Sequence, residues 1–268
     1  MSKDPIQRLR KDGVPVPTAE RRIKIFNLLV EKKSVEVNEL ANRFGVSTMT
    51  IRRDLAMLEK QGIVTTNYGG AYLNEGTAIE PSFSLKYGQM TEAKNKMGLA
   101  AADLVQNGDS LFIDCGTTTM QLAKHLQAKK VTVITNSLVV SNLLQTNSKI
   151  KLIMAPGVYD PKSAGFLGPL TIDFLQKFNV DKAFIGAQGF DSESGATVPD
   201  EIDAEVKKAF CRNSKQRILM VGYEKLGVSC LAKFADITEI DCLISDENAS
   251  RDEVGFILGK GVQVILAR

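Results

Sequence analysis

Side chains suited to binding chemistry gather in two parts of the sequence. The first is Ser47-Thr48-Met49-Thr50-Ile51-Arg52-Arg53. Ser47 is a preferred helix N-cap, and in a helix beginning after it Ile51, Leu55 and Leu58 fall at i, i+4 and i+7, a stripe suited to burial. Met49 and Arg53 then lie opposite that stripe, flanked by Thr50 and Arg52. Hydroxyls, a methionine and two arginines near the start of a helix can hydrogen-bond phosphates and base edges when the helix enters a major groove. Ser47, Thr48, Met49, Thr50, Arg52 and Arg53 are therefore the candidate contacts to double-stranded operator DNA.

The second part is a set of strand ends. Asp114-Cys115-Gly116-Thr117-Thr118-Thr119 follows an apolar run and opens a helix, offering a glycine, three hydroxyls and free amides, the donors that an anion such as phosphate needs. Thr135-Asn136-Ser137 repeats the arrangement after the next run. Ile185-Gly186-Ala187-Gln188-Gly189 is a third, glycine-rich end where backbone can approach a ligand closely. A helix over 202–213 adds Glu205 and Lys207, and the loop after Val221 adds Glu224 and Lys225. Each end alone is ordinary turn and cap chemistry; three on one sheet edge point to a small-molecule site.

The elements that position these groups can be read from periodicity. Residues 39–44 form a short helix with Leu40 and Phe44 inward, stopped by Gly45, before the helix capped by Ser47. Ala19 to Val30 is a third amphipathic helix, with Ile23, Phe26 and Val30 at i, i+3 and i+7. Residues 62–66 and 71–73 read as two strands about the turn Asn67-Tyr68-Gly69-Gly70. Three helices and a hairpin make a winged helix-turn-helix over 19–75, preceded by a tail at 1–18. Residues 76–90 read as a linker, because Asn74, Gly76, Pro81 and Gly88 interrupt any period. From 91 to 268, short apolar runs alternate with helical segments near 119–126, 138–144, 169–178, 202–213 and 251–260, the last opened by a Ser250/Glu253 capping box. That alternation predicts an α/β domain with a mainly parallel sheet buried on both faces.

Composition sets the class. The chain has 268 residues, 44% of them apolar and 24% charged, and a net charge of +3. Residues 1–75 carry 13 Lys and Arg against 9 Asp and Glu, so the basic surplus lies where DNA would be read. Cys115, Cys211, Cys230 and Cys242 lack metal or disulfide spacing, which predicts reduced thiols in a cytoplasmic protein and no metal. No apolar run reaches the roughly 18 residues of a membrane span. No cofactor is expected.

The segments ERRIKIFNLL, ELANRFGVSTMTIRRDLAMLEKQG and YGGAYL resemble the DNA-binding domain of the DeoR family of bacterial regulators. DCGTTT at 114–119, TNS at 135–137, IGAQG at 185–189, AEVKKAF at 204–210 and Lys225-Leu226-Gly227 resemble the same family's sugar-phosphate sensor domain, whose fold is similar to ribose-5-phosphate isomerase. The resemblance implies a repressor of a carbohydrate-utilisation operon, released by a phosphorylated sugar or polyol and acting as a homo-oligomer, a dimer or tetramer. It also implies Asp114, Gly116, Thr117, Thr118, Asn136, Ser137, Gly186, Glu205 and Lys225 as effector contacts. Three positions depart from the family pattern: Thr65, Thr66 and Asn67 are neutral where the wing is commonly basic, Gly222-Tyr223-Glu224 precedes Lys225, and Ala155-Pro156-Gly157 replaces a glycine pair. The rival expectation is an isomerase-like enzyme with an appended DNA-binding domain. Against it, residues 185–189 hold no carboxylate, and the single histidine, His125, ends a predicted helix.

Overall fold

The computed structural model describes residues 16–268, and the chain divides into one unit ending at Glu75 and a second spanning Gly76–Arg268. Most of the expected tail at 1–18 lies outside the described residues.

The first unit runs α1 (Thr18–Lys32), β1 (Ser34–Glu36), α2 (Val37–Phe44), α3 (Thr48–Lys60), β2 (Val64–Thr66) and β3 (Gly70–Leu73). Gly45 ends α2 in the left-handed conformation, at φ 65°. Ser47 caps α3, its hydroxyl accepting from the Thr50 amide at 3.2 Å. Ile51, Leu55 and Leu58 turn inward, as their spacing predicts, and Leu40 and Phe44 of α2 are buried with them. The inner stripe of α1 differs from expectation: Ile25, Phe26, Leu28 and Leu29 are buried, whereas Val30 is exposed. A buried ion pair fixes α1 on α3, because Asp54, 1% exposed, accepts from Arg21 Nε at 2.6 Å and Arg22 Nε at 2.8 Å. The wing has three strands in the order β1-β3-β2, so the predicted hairpin gains β1 as a partner. Gly70 faces β1 so closely that a Cβ there would overlap the Val35 carbonyl oxygen.

In the second unit come α4 (Phe83–Tyr87), α5 (Thr91–Asp103), β4 (Ser110–Ile113), α6 (Thr119–His125), β5 (Val131–Thr135), α7 (Leu138–Leu144) and β6 (Ile150–Met154). A small hairpin, β7 (Val158–Asp160) and β8 (Gly165–Leu167), precedes α8 (Pro169–Leu175) and β9 (Val180–Gly186). Then follow β10 (Gly189–Asp191), β11 (Gly195–Val198), α9 (Glu201–Arg212), β12 (Ser214–Met220), β13 (Ala232–Ala235), β14 (Cys242–Asp246), α10 (Arg251–Gly259) and β15 (Gln263–Ala267).

Seven strands form one sheet in the order β15-β14-β12-β9-β4-β5-β6, every pair parallel. Alternate side chains enter two cores. Leu111 and Ile113 meet α5, α6 and α7 through Met97, Leu122 and Val140, while Phe112 turns to α8, α9 and α10 through Leu175, Phe210 and Ile257. Burial on both faces explains the continuous apolar runs of these strands. The chain adds β5 and β6 on one side of β4 and then crosses to lay β9 on the other. The carboxyl ends of β4 and β9 therefore meet at a topological switch point, the usual crevice for a ligand in an open α/β sheet. Beyond the sequence expectations are the β7-β8 hairpin, a small antiparallel sheet β10-β11-β13, and α4, which occupies the stretch expected to be linker.

Candidate functional site

The first candidate site is the open face of α3. Ser47, Thr48, Met49, Arg52 and Arg53 are exposed and Thr50 is half-buried, so all six expected DNA contacts share one surface. The Ser47 and Thr50 hydroxyls are 3.0 Å apart. The Arg52 guanidinium stacks 5.3 Å from the ring centroid of Tyr68, which stands at the wing tip with 92% of its surface exposed. The wing is tied to the same helix by Glu59, which accepts from the Thr66 amide at 2.8 Å and hydroxyl at 2.7 Å. Its tip is shaped by Asn67, whose Oδ1 accepts from the amides of Gly69 and Gly70. The Tyr68 contribution was missed because a turn tyrosine carries no signal of what it will stack against.

The second is a cleft at the switch point of the sheet. Five of the expected effector residues line it: Gly116, Thr117, Thr118, Gly186 and Lys225. Asp114 lies directly behind, wholly buried, accepting from the Gly186 amide at 3.0 Å and from Lys207 Nζ at 2.5 Å. It sets the floor and joins the ends of β4 and β9.

Three expected effector contacts are corrected. Asn136 is fully buried, its Oδ1 accepting from the Cys115 amide at 3.1 Å and its Nδ2 donating to the Phe166 carbonyl at 3.1 Å, so it braces the loop from behind. Ser137 is also fully buried and caps α7, accepting from the Val140 amide at 3.2 Å. Glu205 is exposed and paired to Lys208 at 2.6 Å. Helix geometry explains the last case, because Asp203 and Lys207 are four apart on one face of α9 while Glu205, two residues from each, points away.

The residues on that inner face are the ones the cleft uses. Asp203 and Lys207 are buried, and Lys207 Nζ lies 3.5 Å from Asp203 as well as 2.5 Å from Asp114. Burial alone would push the Lys207 ammonium down, but the two carboxylates outweigh it and hold it above the usual lysine range. Burial raises the Asp203 carboxyl above its ordinary value. Asp114, Cys115 and Asp203 present ligand atoms within 4.8 Å of one another, yet the Lys207 ammonium stands at both carboxylates and supplies the cation that a metal would bring.

Lys225 also lines the cleft, and Lys94 is buried next to Lys86, outside the lining. Burial lowers Lys94 to about 7, helped by the charge of Lys225, and its Nζ donates at 2.6 Å to the Lys86 carbonyl. Burial likewise lowers Lys225 to about 8, with Glu224 opposing and Lys86 adding to the shift. Glu80 and Lys86, from the stretch read as linker, also line the cleft. So does Ser163, whose buried hydroxyl has no hydrogen-bond partner among the described residues. Taken together, the cleft offers hydroxyls, turn amides and ammonium groups, the complement of a phosphorylated polyol.

His125 bonds Asn95 at 3.0 Å, away from these residues, consistent with its reading as a helix-end group. All four cysteines are free thiols. No helix among the described residues is long and apolar enough to cross a membrane.

A DNA-reading winged helix joined to a parallel-sheet ligand domain is the architecture of a one-component transcriptional regulator. Residues 21–77 match the DeoR-like helix-turn-helix domain and residues 89–247 the DeoR C terminal sensor domain. A protein of Escherichia coli O157:H7 named for the aga operon is 36% identical over 253 residues, covering 93% of this chain and 94% of that one. The HTH-type transcriptional repressor GlcR of Bacillus subtilis (strain 168) is 32% identical over 247 residues, 92% and 95% of the two chains. The glycerol-3-phosphate regulon repressor of Escherichia coli (strain K12) is 31% identical over 228 residues, 85% and 90%. Among solved structures, ribose 5-phosphate isomerase A from Methanocaldococcus jannaschii aligns at 19% identity and a TM-score of 0.38, over 51% of this chain and 54% of that one. The chain belongs to the DeoR family of transcriptional regulators.

Proposed function

We propose that this regulator represses a carbohydrate-utilisation operon, holding operator DNA through the α3 face and releasing it when a phosphorylated sugar or polyol enters the cleft at the ends of β4 and β9. The observation that carries the ligand reading is the set of lysines, Lys86, Lys207 and Lys225, around the Gly116-Thr117-Thr118 turn, with Lys225 paired to no carboxylate among the described residues. Ammonium groups gathered with hydroxyls in a cleft favour a multiply charged anion over a neutral sugar. The name of the glycerol-3-phosphate regulon relative supports the same reading. Operator recognition by a single helix-turn-helix spans only a few base pairs, which is the reason to expect a dimer or tetramer with paired half-sites.

A thermal-shift screen of the full chain against inorganic phosphate, glycerol 3-phosphate, ribose 5-phosphate and fructose 6-phosphate tests the ligand. A true effector at 100 times its dissociation constant stabilises the fold by about 2.7 kcal/mol. The same compound then weakens operator binding in a fluorescence anisotropy titration. A ligand that stabilises without weakening DNA binding overturns the switch, and chemical interconversion of the sugar phosphates seen by NMR would favour the isomerase alternative.

A further inference from the structure

The three lysines that line the cleft and Lys94 beside them are not equally free. Lys207 is held by Asp114 and Asp203, whereas Lys94 and Lys225 have no carboxylate partner among the described residues. Lys86 is the exception among the outer lysines: its Nζ lies 2.8 Å from Glu80 Oε1, with the two side chains only 12% and 8% exposed. Both line the same cleft as Thr117, Thr118 and Lys225. Besides Asp203, which is engaged by Lys207, the chain thus places the Glu80 carboxylate among cations and hydroxyls otherwise arranged for an external anion. The Glu80–Lys86 pair is buried enough for the competition to matter, since a shielded ion pair resists exchange with water far more than a surface one.

We propose that Glu80 is the built-in counter-anion of this cleft, and that an incoming phosphate, drawn also by Lys225, takes Lys86 from it, expels the Glu80 carboxylate and loosens the segment 76–82. The proposal rests on the reading of the cleft as a phosphate-ester site. Residues 76–82 form no helix or strand; the Ile79 amide donates to the Gly76 carbonyl, the Leu231 amide to the Thr77 carbonyl, and Ser82 at the end of the segment accepts from the Leu85 and Lys86 amides and bonds the Ser84 hydroxyl. Loss of the Glu80 pair therefore removes the one ionic anchor of that segment among the described residues. In the chain this segment directly follows the wing strand β3, so ligand occupancy acts first on the covalent connection to the DNA-reading unit. Lys86 becomes a ligand-binding residue, and Glu80 a residue that sets the affinity threshold without touching bound ligand.

Calorimetric titration of the full chain with inorganic phosphate and the three phosphate esters above tests this, using wild type, Glu80→Gln, Lys86→Gln and the double variant. Glu80→Gln keeps the side-chain shape and removes the charge, so the responding compound binds about tenfold tighter, Lys86→Gln binds it at least about tenfold weaker, and the double variant loses the gain. Deuterium exchange at amides 76–82 rises on ligand addition in wild type and is already fast in Glu80→Gln without ligand. If wild type binds a phosphate compound and Glu80→Gln binds it no tighter, or weaker, the counter-anion role is overturned while the phosphate site stands. Ligand-independent exchange at 76–82 in both proteins overturns the loosening. If neither protein binds any of the four compounds, the phosphate reading of the cleft falls, and this inference with it.

Discussion

Lys207 Nζ lies 2.5 Å from Asp114 Oδ2 across the end of the sheet, joining α9 to the loop after β4 through an ion pair with no more than 4% of either side chain exposed. The carboxylate in turn accepts the Gly186 amide, so one buried charge locks three segments of the cleft. Such a pair adds little over a well-packed apolar one, but breaking it leaves an uncompensated charge in the core. Lys207→Met should therefore destabilise the second unit by about 3–5 kcal/mol, and adding Asp114→Asn should recover part of that loss. Urea unfolding followed by tyrosine fluorescence measures both; an unchanged midpoint in the single variant would show that the pair is not buried as described.

Arg52 and Arg53 stand on the same exposed face as Met49 and Thr50, and neither takes part in a salt bridge among the described residues. Arg53→Ala should weaken operator binding without loss of fold. A pure phosphate contact would lower the salt slope by about 0.9, and a base contact would contribute about 1–3 kcal/mol of discrimination. Arg52→Ala should also free the Tyr68 ring, so Tyr68→Ala should reproduce part of its effect. Wild-type affinity and salt dependence in both arginine variants would rule out the α3 face.

Ligand binding should depend on pH through Lys225 and Lys94, which burial lowers to about 8 and about 7 from an ordinary 10.5. A phosphate dianion favours their charged forms, so its affinity should fall as pH rises from about 8 to 9.5, where the phosphate itself is already a dianion. Binding near pH 8.5 should take up on the order of one proton. Calorimetry in two buffers of different ionisation heat reads that uptake directly. For the free protein the sign is opposite: the unfolded lysines hold more protons between about 7 and 10, so these two groups make the fold more stable as pH rises through that window.

Thr117 is 6% exposed and lines the cleft beside Gly116. Thr117→Asp places a carboxylate where phosphate is proposed to sit, competing for the same amides and ammonium groups. Effector response should vanish, leaving a protein that either stays on its operator or is permanently released. Gel-shift titration with and without effector distinguishes these, and a normal response would exclude the turn from the site.

Gly70→Ala should act on the wing alone. Its added methyl would overlap the Val35 carbonyl, forcing β1 and β3 apart at a cost of about 1–3 kcal/mol. Operator affinity should drop while the second unit melts as before. Full operator affinity in this variant would mean that the wing does not contribute.

Much of the fold was legible because its signals are local. Ser47, Gly45 and the Ile51-Leu55-Leu58 stripe state a helix start, a helix stop and an inner face in consecutive residues. The seven parallel strands were visible because strands buried on both faces become continuous apolar runs. What stayed hidden depends on distant contacts. β1, β7 and β8 are only three residues each and owe their existence to partners. Asp54 looks like a surface residue of α3 until Arg21 and Arg22 reach it. In the cleft, the glycine and threonine turn was readable from type and order, but the choice between Glu205 and Asp203 required knowing which face of α9 meets the sheet. Glu80 and Lys86 were lost among the interruptions at Gly76, Pro81 and Gly88, because nothing periodic marks a short irregular segment that folds over a cavity.

The two units also differ in when they can form. Arg21 and Asp54 are 33 residues apart, and the first unit is closed by Leu73 of β3. At the centre of the sheet, Gly186 reaches Asp114 across 72 residues and Lys207 reaches it across 93. Long closures of this kind slow folding, and domains fold in order as a chain is synthesised. On the ribosome, the DNA-reading unit is therefore complete before α9 exists, and a growing chain acquires its DNA-reading surface before its ligand cleft is closed.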